Sequence, residues 1–196
     1  MAALNNRGSI LLCGVGGQGT ILMSKVLTAG LVQAGYDVKM SEVHGMAQRG
    51  GSVSTQVRYG EKVYSPIIGR GEADLLVAFE KMEAVRYSGQ LKPGGAALIN
   101  DYEIMPLPVA SGAAEYPQNT IEEMRRLFTV SVIPASEIAK SLGNIRCTNI
   151  VLLGALVRAL SLEAIDWKTA LAGAVPPKAL EINLAAFDAG YRFEGK

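Results

Sequence analysis

The first apolar run, Ser9 to Cys13, has the length of a strand, and after a cluster of glycines the segment from Gln18 to Ala34 returns apolar residues at helical intervals. Ile21, Leu22, Val26, Leu27 and Leu31 fall on one face of that helix, and Gly35 is its expected stop. Asp37 to Ser41 reads as a second short strand. Strand, turn, helix and strand over Ser9 to Ser41 have the length of one βαβ unit, and such a unit predicts a parallel sheet. A polar, glycine-rich loop runs from Glu42 to Gly51. Two β-like segments follow, Ser52 to Tyr59 and Lys62 to Ser65, spaced for a hairpin across Gly60-Glu61. Polar neighbours around Val53, Thr55 and Val57 suit a half-covered strand, whereas central parallel strands are apolar throughout.

From Asp74 onward strands and helices alternate again. Leu75 to Phe79 reads as a strand, Lys81 to Ser88 as a helix, Lys92-Pro93-Gly94-Gly95 as a turn and Ala96 to Asn100 as a strand. Asp101 to Asn119, rich in Pro, Ser and Gly, is an irregular excursion before a helix over Thr120 to Phe128, a strand over Val130 to Ile133 and a helix over Ala135 to Leu142. Asn149 to Leu160 is apolar nearly all round, so it must be buried, either in the core or against a partner. Pro177 opens a last helix that carries Leu180, Leu184 and Phe187 at helical spacing, and it is expected to dock on the sheet and end at Gly190. No repeat or linker divides the chain. The expectation is a single α/β domain over residues 1–196, a Rossmann-like three-layer α/β/α arrangement with a mostly parallel sheet.

Composition narrows the function classes. Of 196 residues 49% are hydrophobic and 19% charged, with 19 Lys and Arg against 18 Asp and Glu. This balance gives no reason to expect nucleic acid or an anionic membrane as a partner. The low charged fraction fits either a large buried sheet or a surface covered by another protein. Cys13 and Cys147 stand far apart at no metal-ligand or redox spacing, which argues against an iron–sulfur cluster or zinc site built by this chain, and both read as core. Met1 to Arg7 lacks the apolar stretch of a signal peptide, and no apolar run reaches the roughly 18 residues of a bilayer span, so a cytoplasmic protein is expected.

Gly14-Val15-Gly16-Gly17-Gln18-Gly19 fits G-x-G-x-x-G directly after a strand and opening a helix. In that pattern the first glycine permits a tight turn, the second lets a phosphate approach the backbone, and the third lets helix and strand pack closely. The helix N-terminus then favours an anion. The ribose-binding carboxylate of a dinucleotide site belongs about 20 residues on, at the end of the second strand, and Glu42 is the only candidate, displaced into the next loop. Three readings therefore stand: NAD or FAD binding, a turn serving only helix–strand packing, or a phosphate-bearing ligand or partner's cofactor beside the turn.

The second loop, Glu42 to Ser52, leaves the same sheet edge. Arg49 flanked by Gly50 and Gly51 resembles an anion clamp, since a guanidinium offers a bidentate fork and glycines expose backbone N–H groups. An ion pair of Arg49 with Glu42 is the plainer alternative. His44, the only histidine, is either a general acid–base or a structural residue, and no spacing supplies it with a triad.

Taken together, Gly14 to Gly19, the stretch Ser41 to Ser54 with Gln48-Arg49-Gly50-Gly51-Ser52, Ser65-Pro66-Ile67-Ile68, the run Gly71 to Glu80 and the Asn183 to Tyr191 region with Ala186-Phe187 resemble the gamma-type subunits of 2-oxoacid:ferredoxin oxidoreductases. Glu42-Val43-His44-Gly45-Met46 looks most like the small, beta-named subunit of the indolepyruvate enzymes. The resemblance implies a complex that oxidatively decarboxylates a 2-oxoacid on thiamine diphosphate, passes electrons through iron–sulfur clusters to ferredoxin and releases an acyl-CoA. It implies that thiamine and clusters are held by partner subunits, that this chain is inactive alone, and that it forms a hetero-oligomer, or a homodimer when isolated. Gly14, Gly16, Gly17, Gln18, Gly19, Arg49, Gly50, Gly51 and Ser52 would then face the catalytic subunit, near the thiamine site or on the path of coenzyme A. Coenzyme A is favoured because its diphosphate and 3′-phosphate match the anion-binding features. No catalytic residue and no metal ligand are expected on this chain. The competing class is an independent NAD(P)- or FAD-binding Rossmann protein.

Overall fold

The computed structural model describes residues 7–45 and 50–194. Six strands form one sheet: β1 (Gly8–Val15), β2 (Asp37–His44), β3 (Ser52–Gly60), β4 (Ala73–Ala78), β5 (Leu91–Asn100) and β6 (Thr129–Ile133), in the order β2-β3-β1-β4-β5-β6. Strands β1, β4, β5 and β6 are parallel, and β3 is antiparallel to both β1 and β2. The mostly parallel α/β sheet expected from the sequence is therefore present, with one difference. β1 and β2 run in the same direction but are not neighbours, because β3 lies between them.

That insertion also replaces the expected hairpin. Both edges of β3 are taken, by Val15↔Ser52 through Gly8↔Tyr59 on one side and by His44↔Val53 through Asp37↔Gly60 on the other. The segment 62–65 forms no strand. Its Val63 N–H donates instead to the Asp37 carboxylate at 2.9 Å. The turn expected at Lys92 to Gly95 lies inside β5, where the register against β4 shifts and Gly94 takes a φ of 74°.

Alternating side chains of the strands feed two apolar layers. On one face Ile10, Leu12, Val57, Leu75, Val77 and Leu98 meet α1 (Thr20–Gln33), α6 (Thr148–Ala159), α7 (Trp167–Ala172) and α8 (Pro177–Arg192). On the other, Leu11, Cys13, Leu76, Ala78, Ala97 and Ile99 meet α2 (Lys81–Tyr87) and α4 (Thr120–Leu127). Short helices α3 (Leu107–Ala110) and α5 (Ala135–Ser141) complete the set. Among the described residues no helix is long and apolar enough to cross a membrane.

Two details depart from the sequence reading, at α1 and α8, and at α6 the structure decides between two readings. On α1 the buried face runs through Met23, Val26, Leu27 and Leu31, while Ile21 is 45% exposed at the first turn. α6 is buried from Thr148 to Val157, which resolves its apolar circumference as core. α8 docks on α6 and not on the sheet, and it continues past Gly190 to Arg192. Gly190 is a contact point: a Cβ there would lie 1.8 Å from the Val151 carbonyl oxygen, and one at Gly154 would lie 2.1 Å from that of Phe187. Two backbones approach this closely only where both helices present glycine.

Candidate functional site

Strands β1, β4 and β5 end at the same edge as β2, and β3 begins there. The crossover from β1 through α1 covers one face and the one from β4 through α2 the other, so the topological switch point falls between the ends of β1 and β4. A dinucleotide would cross that crevice. Here it is filled by Gln18, whose Oε1 accepts from Val15 N at 2.7 Å and whose Nε2 donates to the Phe79 carbonyl at 3.1 Å. Asn100, fully buried, donates to the same carbonyl at 3.1 Å and bonds Ser136, so the ends of β1, β4 and β5 are stitched together by side chains. Gly14 is required by this plug, because a Cβ on it would stand 2.7 Å from Gln18 Oε1 and 2.8 Å from Phe79 Cβ.

The two glycine-rich loops do meet. Gly16 N donates to Gly51 O at 2.8 Å, and Gly50 N donates to Gly16 O at 3.3 Å. Gly17 and Gly19 hold φ angles of 107° and 85°, a region that favours glycine. No hydrogen bond from either of their N–H groups is found among the described residues. Gly19 caps α1, whose first turn carries no acidic residue, so the positive end of the helix macrodipole is uncompensated from within. Asn149, at the N-terminus of α6, donates to Gly19 O at 3.1 Å, and its own Oδ1 is buried and finds no partner among the described residues. Two helix N-termini thus converge on one glycine.

Between this turn and the β2–β3 hairpin lies a cleft of about 310 Å³, lined by Gly16, Gly17, Gly19, Thr20, Ile21, Glu42, Val43, His44 and Val53. The exposure of Ile21 has its reason here. β2 extends to His44, so Glu42 belongs to the strand and not to the loop. His44 is exposed, with Nδ1 3.1 Å from Gly45 O. Arg49, expected as the anion clamp, lies outside the described residues, as do Met46, Ala47 and Gln48. Among the described residues no group of His, Cys, Asp or Glu is arranged to hold a metal ion.

Ser52 behaves differently from its neighbours. Its hydroxyl points to the α2 face of the sheet, donates to Glu83 and stands 3.3 Å from the Tyr87 hydroxyl. Glu83 also accepts from Arg86 Nε at 2.8 Å, and its N–H donates to Glu80, the N-cap of α2. Glu80 is 1% exposed, faces no cation among its hydrogen-bonding partners, and accepts from Tyr116 OH at 2.9 Å. Desolvation raises its pKa, and the charge of Glu83 adds to the rise; three hydrogen bonds, from the Glu83 N–H, the Tyr116 hydroxyl and the Met82 N–H, only partly offset this. For a carboxyl raised in the folded state, the folded protein holds the extra proton. The favourable contribution is complete below the unfolded value and is lost as pH rises through the folded one. We expect the wild type to gain stability relative to Glu80→Gln as pH falls from 8 to 5, read by urea unfolding at each pH; a constant difference would refute the shift.

Both loops are legible in the sequence, but the groups that hold them are not. Asn149, Asn100 and the Glu80–Glu83 pair lie far along the chain, and only Glu80-x-x-Glu83, an acid at N-cap and N3 after an apolar strand, carries a readable capping signal.

The family model described as pyruvate ferredoxin/flavodoxin oxidoreductase matches residues 9–193. The chain is 40% identical over 194 residues to indolepyruvate oxidoreductase subunit IorB of Thermococcus kodakarensis, with 94% of each chain covered. IorB of Pyrococcus horikoshii is 39% identical over 192 residues, again with 94% of each covered. Among solved structures, the gamma subunit of a keto/oxoacid ferredoxin oxidoreductase from Geobacter sulfurreducens superposes with a TM-score of 0.69 at 25% identity, over 94% of this chain and 96% of that one. A 2-oxoglutarate:ferredoxin oxidoreductase from Magnetococcus marinus, with 2-oxoglutarate, coenzyme A and succinyl-CoA bound, gives 0.71 at 26% identity over 94% of this chain and 30% of that one.

Proposed function

The chain belongs to the pyruvate ferredoxin/flavodoxin oxidoreductase family and is a small subunit of a 2-oxoacid ferredoxin oxidoreductase, and from that premise we propose that its glycine edge is an anion-binding surface for the coenzyme A used at a partner's active site. The observation that carries the reading is the reciprocal pairing of Gly16 with Gly50 and Gly51, which leaves the N–H groups of Gly17 and Gly19 at the N-terminus of α1. Gly17, Gly19, Arg49, Gly50 and Gly51 are the residues that would hold phosphate oxygens. Gly14, Gly16, Gln18 and Ser52 hold the turn in shape.

Within this reading the chain is a single domain in a cytoplasmic complex. Thiamine diphosphate and iron–sulfur clusters reside on the catalytic partner, and ferredoxin is reached through it. One feature supports the assignment: Cys13 and Cys147 are buried in the layers on opposite faces of the sheet, an arrangement that does not fit a cluster. Indolepyruvate or a related aryl pyruvate is the proposed 2-oxoacid, on the strength of the names of the relatives. An independent NAD(P) or FAD protein is disfavoured by the Gln18 plug.

Reconstitution tests the proposal. Ferredoxin reduction by indolepyruvate and coenzyme A should require both this chain and the thiamine-binding chain, and the isolated chain should give no heat of binding with NAD or FAD. Full activity without this chain, or tight dinucleotide binding, would overturn it.

A further inference from the structure

We propose that Glu83 is a positioning residue for the glycine edge, acting through Ser52 to set the Gly50-Gly51 segment against the glycine turn. The inference rests on the reading of that edge as a coenzyme A contact. Ser52 opens β3 and pairs with Val15, the last residue of β1, so both glycine-rich loops grow from this one rung of the sheet. From that rung Gly16 and Gly51 are bonded directly. The Ser52 hydroxyl is gripped from the opposite face of the sheet by the Glu83 carboxylate, which is 3% exposed and fixed by Arg86 Nε at 2.8 Å. Its helix is anchored in turn by the Glu80 cap.

A buried carboxylate is an expensive way to hold one serine, because its ionised form must be desolvated. An apolar side chain would fill the same space between α2 and β3 without that cost. What the carboxylate adds is direction: two oxygens bridge Ser52 and Arg86, so the hydroxyl has one orientation and the first peptide of β3 one position. Misplacement of a binding group by about 1 Å can cost up to about 100-fold in function. Glu83 does not line the cleft, and its effect is transmitted through Ser52.

The test uses the assembled enzyme, with separate apparent KM values for coenzyme A and for the 2-oxoacid. Glu83→Ala and Ser52→Ala should each raise the KM for coenzyme A roughly tenfold while kcat stays within about twofold, as expected when binding is lost and chemistry kept. The double variant should add little to either, since the two share one link. Glu83→Gln should recover most of the affinity, its amide oxygen taking Arg86 and its NH2 donating to the serine. Arg86→Gln, which weakens the contact that fixes the carboxylate, should raise the KM for coenzyme A in the same direction but less than Glu83→Ala does. A merely structural role would lower the melting temperature of Glu83→Ala without splitting KM from kcat, and that result would overturn the inference. Arg49→Ala tests the underlying reading separately: if it leaves the KM for coenzyme A unchanged the reading fails, whereas an effect of Arg49→Ala without one of Glu83→Ala sinks only the positioning role.

Discussion

Gly190→Ala should destabilise the protein by about 3 kcal/mol or more, because the added methyl falls 1.8 Å from the Val151 carbonyl oxygen and 2.7 Å from its carbon. A flexible side chain could swing away, but a backbone carbonyl moves only with its helix. α6 and α8 would have to separate, and α6 is the most completely buried helix of the domain. For a chain of this size that cost corresponds to a fall in melting temperature of about 10 °C. Gly154→Ala meets the same backbone from the other side, 2.1 Å from Phe187 O, and should behave alike. Gly173→Ala is the control: its nearest atom is 3.7 Å away, so its effect should stay within about 0.5 kcal/mol. Equal melting curves for Gly190→Ala and Gly173→Ala would contradict the close approach.

The second large effect concerns the crevice at the switch point. Gly14→Ala places a methyl 2.8 Å from Phe79 Cβ, which has no room to rotate aside, and 2.7 Å from Gln18 Oε1. The glutamine must leave, exposing Val15 N and one bond of Phe79 O to loss. We expect about 2–4 kcal/mol for Gly14→Ala, combining steric strain with an unsatisfied, partly buried N–H, and about 1–3 kcal/mol for Gln18→Ala, which loses only the hydrogen bonds. Because both remove the same two bonds, the double variant should cost less than the sum. Strict additivity in chemical unfolding would show that Gln18 does not fill the crevice.

Much of the architecture was legible because period and punctuation carry it. Leu75 to Phe79, Lys81 to Ser88, Thr120 to Phe128 and Val130 to Ile133 stand within two residues of their expected bounds, whereas β5 begins at Leu91, five residues before the expected Ala96, and α3 falls in the segment expected to be irregular. The stop at Gly35 is realised at a φ of 89°, with Tyr36 N bonded back to Leu31 O. What local pattern cannot carry is pairing. Ser52 to Gly60 has the alternation of a strand whichever neighbour it takes, and only the joint registers with β1 and β2 reveal that it lies between them. Gly190 reads as a helix stop in isolation, since glycine weakens helices, yet across 39 positions of sequence it is the one residue that admits Val151.

The candidate site divides in the same way. The G-x-G-x-x-G turn and Gly50-Gly51 were readable as backbone features, and they do pair. Gln18 and Ser52 looked like ligand groups, but their side chains are bonded inward to Val15, Phe79 and Glu83. A side chain's direction depends on what waits beneath it, and Phe79 and Glu83 are 61 and 31 residues away.

The most direct test of the proposed role of the chain as an anion contact in the complex is the Arg49→Ala variant of the assembled enzyme, assayed for coenzyme A and 2-oxoacid side by side. Loss of a charge-assisted contact to phosphate should raise the apparent KM for coenzyme A by roughly 10- to 100-fold and leave that for the 2-oxoacid within about twofold. An unchanged KM for coenzyme A, or an equal rise for both substrates, would contradict the account.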